Sequence, residues 1–164
     1  MEKDETHLKW CLKQRNGIKI TKPSENLVKA YHEKSRNSLR SMEINAKEGI
    51  QEWAISASYY AKYFAVYALL SKIGVRCEIH DCTITLFEHL FQHSLPPQII
   101  DELRKSKEDR IETQYYTRKI TIDIDQTMKN TKSFVLEIEK QMDGLNPEKT
   151  VQLQNDLKKL IIKA

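Results

Sequence analysis

Cys77, His80 and Cys82 are the tightest set of potential metal ligands in this 164-residue chain: two soft sulfurs and an imidazole in one short segment. Zinc takes four ligands in a tetrahedron, and no distant second pair completes this set. Ordinary packing is therefore the expected role of the cysteines, and no metal is expected. His80 has other uses. An unperturbed imidazole titrates at about 6.5, so it can move a proton near neutral pH. Followed by Asp81, it can also cap a helix or hydrogen-bond across a core, and structural use is the expectation. The chain lacks a Gly-rich phosphate loop, a Gly-flanked nucleophilic serine and a paired-histidine zinc helix. Whether it is an enzyme thus turns on subtler groups, and no cofactor is expected.

The element that must position such groups is the tyrosine-rich segment from Ser58 to Ile73. Tyr59, Tyr63, Val66 and Leu70 recur in steps of three and four, with Tyr60, Phe64, Tyr67 and Ile73 beside them. Nearly half of a helix circumference is then apolar or aromatic, which predicts a central helix. Gly74 is placed to end it in the left-handed conformation, after Lys72 in the last turn. Tyr59, Tyr60, Tyr63 and Tyr67 are expected to serve core and dimer packing rather than stack on bases, since stacking needs exposed rings.

The other elements follow from the same periodicities. Leu8, Cys11 and Leu12 predict a short helix from about Asp4, stopped at Asn16-Gly17, in preference to a hairpin there. Pro23-Ser24 opens a long helix with Leu27, Tyr31, Ser35, Leu39 and Met42 on one face, broken near Lys47-Glu48-Gly49. A third helix near Asp81 buries Ile84, Phe87, Leu90 and Phe91. Pro97 suits a first helical position, and Ile100, Leu103, Lys107 and Ile111 trace a charged fourth helix towards Tyr115. The alternating Ile120 to Ile124 stretch has no partner strand, so it is expected to be an extended lead-in to a helix carrying Met128, Val135, Ile138 and Met142. Asn146 and Pro147 cap a final helix with Val151, Leu157, Leu160 and Ile161. The domain organisation expected is an arm over residues 1–22, a bundle over 23–143 and a C-terminal helix over 144–164.

Composition agrees with an all-α antiparallel bundle of about five to six helices. Only 4 Gly and 4 Pro occur and 30% of residues are charged, which suits helices joined by short loops. The formal net charge of +4 sets 27 Lys and Arg against 23 Asp and Glu. That excess is ordinary for a small domain and does not by itself call for nucleic acid. Lys13, Arg15, Lys19 and Lys22 are the best basic stretch, expected to be a solvated arm. Three cysteines leave one unpaired at least, and no apolar run at the N-terminus has the form of a signal peptide, so a cytoplasmic location is expected. No run approaches the roughly 18 apolar residues of a membrane span.

The order Tyr59-Tyr60-Ala61, Phe64, Ala68-Leu69-Leu70, Gly74 and then His80 opening a helix that ends in Phe91 resembles the prokaryotic HEPN family. Asn26-Leu27 to Met142 is the span, with Leu27-Val28-Lys29-Ala30 similar to the family's first helix and Arg110-Ile111-Glu112-Thr113-Gln114-Tyr115 to its late Arg-then-Tyr element. The resemblance implies a helical homodimer, often encoded beside a small nucleotidyltransferase in toxin–antitoxin pairs, with some members acting as metal-independent ribonucleases.

Those ribonucleases carry an Arg followed four to six residues later by a His. The Arg fork grips a phosphate and stabilises charge on its oxygens, while the His moves a proton. This chain departs there: Arg110 is followed at that spacing by Gln114, Tyr115 and Tyr116, and no histidine occurs after His93. A phenol with a pKa of about 10 is a poor base at neutral pH. A surface ion pair with Glu102, Asp109 or Glu112 is the mundane alternative for Arg110. The function expected is a dimeric nucleotide- or RNA-associated domain with weak or no catalysis, working with a nucleotidyltransferase. Arg110 and Tyr115 form its site, joined by His80, and Tyr115 or Tyr116 can accept a nucleotide. The alternatives are an endoribonuclease using Arg110 with Tyr115 or His80, and a purely structural dimerisation module.

Overall fold

The computed structural model describes residues 2–116 and 121–163. Seven helices are present among them: α1 (Glu2–Lys13), α2 (Glu25–Lys47), α3 (Gln51–Ile73), α4 (His80–Phe91), α5 (Pro97–Tyr115), α6 (Ile124–Asp143) and α7 (Pro147–Lys163). Two short strands, β1 (Lys19–Ile20) and β2 (Val75–Arg76), pair antiparallel with Ile20 opposite Val75. Among the described residues the chain is thus mostly helical, with one small strand pair. No helix among the described residues is long and apolar enough to cross a membrane.

Side-chain caps set the helix starts. The Ser24 hydroxyl accepts the Leu27 N–H at 3.3 Å, and Asp123 and Asn146 accept from Gln126 and Lys149 at 2.9 and 2.8 Å. Each satisfies a donor that the first turn would otherwise leave orphaned. Residues 121–123 are neither helix nor strand before α6 starts at Ile124, while Ile120 lies outside the described residues. Gly74 ends α3 with φ 82° and ψ 45°. A Cβ there would meet the Thr21 carbonyl oxygen at 2.6 Å and the Pro23 nitrogen at 2.8 Å, so both conformation and close approach require glycine.

α3 is the hub, touching α2, α4, α5, α6, α7 and β2. The stripe Tyr59, Tyr63, Val66 and Leu70 is buried as its spacing predicts, while Tyr60 and Phe64 are half-buried. Burial goes further than the stripe. Ala54, Ala61, Ala65 and Ala68 are buried too, and such small residues let neighbouring backbones come close: the Ser35 hydroxyl donates to the Ala61 carbonyl at 2.7 Å. Lys62 is wholly buried as well, with Nζ 2.5 Å from a Glu102 carboxylate oxygen on α5.

The N-terminal segment is fastened at two points. Ile20 and Lys19 pair with β2, and Cys11 of α1 is joined by a disulfide to Cys82 of α4. Cys82 is therefore a cross-link rather than the packing residue expected of it, because the fold brings α1 across α4. Cys77 remains a free, buried thiol, and burial raises its pKa. Lys13, Arg15, Lys19 and Lys22 are exposed, as a solvated arm would be. Leu157 of α7 is fully buried, whereas Val151 and Ile161 stay exposed.

Candidate functional site

Tyr59, Tyr63 and Tyr67 stand one turn apart on α3, and each places its hydroxyl against the chain that follows Gly74. The Cys77 N–H donates to the Tyr67 hydroxyl at 3.3 Å, and the Tyr63 hydroxyl lies 3.3 Å from Thr83 Oγ1. The Tyr59 hydroxyl meets His80 Nδ1 at 2.6 Å. This ladder pulls the β2–α4 connection back along α3, so that the first residue of α4 lies against the aromatic helix. The His80 ring stacks on Tyr63, centroids 4.2 Å apart at an interplanar angle of 14°.

Arg110 reaches the same place from α5. Its guanidinium carbon lies 5.2 Å from the Tyr60 ring centroid and 5.7 Å from that of Tyr59. Its Nε is buried without a hydrogen-bond partner. The mundane ion pair is not what the fold builds: among the described residues Arg110 has no carboxylate partner, and Glu102 pairs with Lys62 instead. Lys107, one turn earlier on α5, binds Asp81 across the gap to α4 and ties the two helices together at the site.

Burial, then the charges of Arg110 and Lys107, hold the His80 pKa below its ordinary value against the opposing pull of Asp81. The imidazole is thus neutral at neutral pH. Burial also pushes the Tyr59 phenol far up, so it keeps its proton. If that hydroxyl is the donor to Nδ1, the ring's own proton sits on Nε2. His80 and the Arg110 guanidinium both lie against Tyr59, and with no carboxylate in ion-pair reach of Arg110 among the described residues their N–H groups suit an anion.

The residues singled out in the sequence thus divide. Arg110 and His80 come together, although from different helices. Tyr115, the last residue of α5, is 71% exposed and Tyr116 58% exposed, and the ring contacts of Arg110 go to Tyr59 and Tyr60 instead. Those two tyrosines thus do more than the packing their spacing predicts. Their only available signal is the Tyr59-Tyr60 step itself, which offers one ring to the core and one to its rim.

The possible metal trio is dispersed. Cys77 Sγ faces the Ile79 carbonyl, Cys82 is bonded to Cys11, and His80 belongs to Tyr59. His7, Cys11 and Cys82 do bring ligand atoms within 4.8 Å of one another, but the disulfide consumes both sulfurs as metal ligands. No curated protein matches the chain significantly. The HEPN domain model matches residues 28–143, a span that holds the tyrosine ladder, His80 and Arg110. Since that match covers most of the sequence and includes the whole cluster, the chain belongs to the HEPN domain family.

Proposed function

We propose that this HEPN-family chain is a dimeric, nucleotide- or RNA-associated component of a toxin–antitoxin-like pair with a nucleotidyltransferase, cytoplasmic, and weak or inactive as a catalyst itself. Arg110 grips a phosphate in this reading and His80 Nε2–H donates a second hydrogen bond to it. What carries the reading is Arg110: a guanidinium laid over two tyrosine rings, with a buried unpartnered Nε and no carboxylate to neutralise it. Weak catalysis follows from the His80 tautomer, since an imidazole whose Nδ1 is occupied and whose Nε2 carries the proton is a donor and not a base.

The test is binding of a short single-stranded RNA and of nucleoside monophosphates at low salt. Arg110→Ala is expected to lose about ten- to a hundredfold in affinity, as charge-assisted bonds to phosphate are worth roughly 1.5–3 kcal/mol. Unchanged binding in that variant sinks the assignment. Size by light scattering tests the dimer, and a strict monomer at about ten micromolar counts against an interface of more than roughly 1,000 Å².

Tyr115 and Tyr116 enter as acceptors. Their exposure supports transfer of a nucleotidyl group from a nucleoside triphosphate to the phenol oxygen, with pyrophosphate leaving and the phenol proton going to solvent or to the partner. Mass spectrometry after incubation with the neighbouring nucleotidyltransferase and ATP should find the adduct on one of these and not on Tyr63, which is 4% exposed. A second reading, the metal-independent endoribonuclease, is favoured by the meeting of His80 with Arg110. RNA cleavage in EDTA that Arg110→Ala abolishes would establish it.

A further inference from the structure

His7 and Cys11 are four residues apart on α1 and so share one face of that helix. The face packs against α4, whose first turn supplies Cys82. His7 Nε2 lies 3.6 Å from Cys11 Sγ, and the ligand atoms of all three residues fall within 4.8 Å of one another. A tetrahedron built on zinc–sulfur bonds of about 2.3 Å and zinc–nitrogen bonds of about 2.0 Å has edges of roughly 3.5–3.8 Å. The His7–Cys11 pair already has that spacing. The His7 ring is held by stacking on Trp10, centroids 5.5 Å apart at an interplanar angle of 13°, and it is half-buried while both cysteines are fully buried.

The disulfide and a metal are alternative uses of the same two sulfurs, because a ligating sulfur must be a thiolate. Two-electron reduction returns both as thiols, and the β1–β2 pair still fastens the arm that carries α1. Cys82 lies in the first turn of α4, where the helix dipole favours a thiolate. Two thiolates and an imidazole suit zinc, whereas magnesium and calcium take oxygen ligands. We propose that the reduced chain binds one zinc ion through His7 Nε2, Cys11 Sγ and Cys82 Sγ, with water in the fourth position. Binding forms two zinc–sulfur bonds and releases the two thiol protons to solvent. Hydrogen peroxide reverses it: the two thiolates give up two electrons and form the disulfide, the peroxide takes two protons and becomes two waters, and the ion leaves. α1 is thus clasped to α4 in both states, by a metal under reducing conditions and by a covalent bond under oxidising ones. The site lies outside the phosphate reading of Arg110 and does not rest on it.

The test uses the full chain, reduced with a phosphine under argon and stripped of metal, then titrated with zinc against a chromophoric chelator and with cobalt for its spectrum. One equivalent of zinc should bind, and cobalt should show thiolate charge transfer with the intense visible bands of a tetrahedral site. Zinc should also raise the thermal midpoint of the reduced chain and leave that of the disulfide form where it was. His7→Ala keeps both cysteines and removes only a half-buried ring, so it is the informative variant. It should weaken zinc by at least about a hundredfold, since losing an outer-shell partner alone costs about ten- to a hundredfold. Cys77→Ala, which removes the free thiol, should leave the affinity unchanged. Hydrogen peroxide should expel the ion as Cys11 and Cys82 cease to be alkylatable. Zinc bound no tighter by the reduced chain than by the disulfide form overturns the proposal, and so does an affinity indifferent to His7→Ala. A six-coordinate cobalt spectrum, loss of binding in Cys77→Ala, or zinc retained after Cys11 and Cys82 are oxidised places the ion on other ligands and overturns it equally.

Discussion

His80 is where residue-scale physics is most testable. Its folded pKa is depressed, chiefly by burial and next by Arg110, so the unfolded chain binds a proton below about 6.5 that the folded chain resists. The stability contributed by neutral His80 is thus present above that pH and is lost as the pH falls through the window beneath it. An NMR titration of the ring should give a midpoint below about 6.5. In Arg110→Ala the midpoint should rise, because a repelling charge is gone, yet stay below the ordinary value because burial remains. A midpoint that does not move would separate the two residues. The pairing itself was half visible in the sequence: each residue drew notice, but one as a helix opener and the other for its resemblance to a family motif. What joins them is the Tyr59 side chain, whose hydroxyl meets His80 and whose ring lies under Arg110, a meeting that no linear spacing reports.

At the scale of elements, α3 illustrates how a helix can be read correctly as central and still conceal its most consequential residue. Lys62 interrupts the apolar stretch, and an interruption by charge normally marks a solvent-facing position. Here the ammonium is wholly buried: burial pulls its pKa down and the Glu102 carboxylate opposes that pull. Removing one partner of such a pair strands the other, whereas removing both need not. Glu102→Gln should cost roughly 3 kcal/mol in denaturant unfolding, while the double variant Glu102→Gln with Lys62→Met should recover most of it. Equal losses in the single and double variants would show that the pair contributes packing alone. Gly74 gives the complementary case, since both φ 82° and the nearness of the Thr21 carbonyl oppose any side chain. Gly74→Ala should destabilise by more than about 1 kcal/mol, beyond the entropy that alanine would recover from the unfolded state. A neutral outcome would mean that the β1–β2 pairing shifts freely.

For the whole molecule, the decisive link is the bond between Cys11 and Cys82, which closes 71 residues of sequence and pins α1 to the bundle. Restricting the unfolded chain over a loop of that length is worth up to about 4 kcal/mol in the chain-entropy picture. Reduction, or Cys11→Ser, should lower the thermal midpoint accordingly, and His7 and Trp10 on α1 should change their environment with it. Should reduction leave the midpoint unaltered, the clasp between β1 and β2 and the contacts of α7 on α1 hold the arm by themselves. In a reducing cytoplasm, the location proposed for the chain, Cys11 and Cys82 would be held as thiols, so thiol alkylation of protein taken directly from cells decides between the bond and that location.

The amino-acid sequence by itself determined the helices and the centre of the fold, but not the β1–β2 pair. Periods of three and four, the caps at Ser24 and Asn146, and the glycine at position 74 are local properties, and local chemistry is what linear spacing encodes. It also identified Arg110 and His80 as the residues worth watching. Only the tertiary structure decided what each of them meets. Tyr59, Tyr63 and Tyr67 became a ladder because the chain after Gly74 doubles back along α3, which places hydroxyls beside atoms distant in sequence. Lys62 found its counter-charge on another helix, Cys82 found Cys11, and Tyr115 was left to solvent while Tyr60 took its place beside the guanidinium. Such partnerships depend on which helices pack and at what rotation. That is settled by the summed burial of whole faces, and no single spacing along the chain records it.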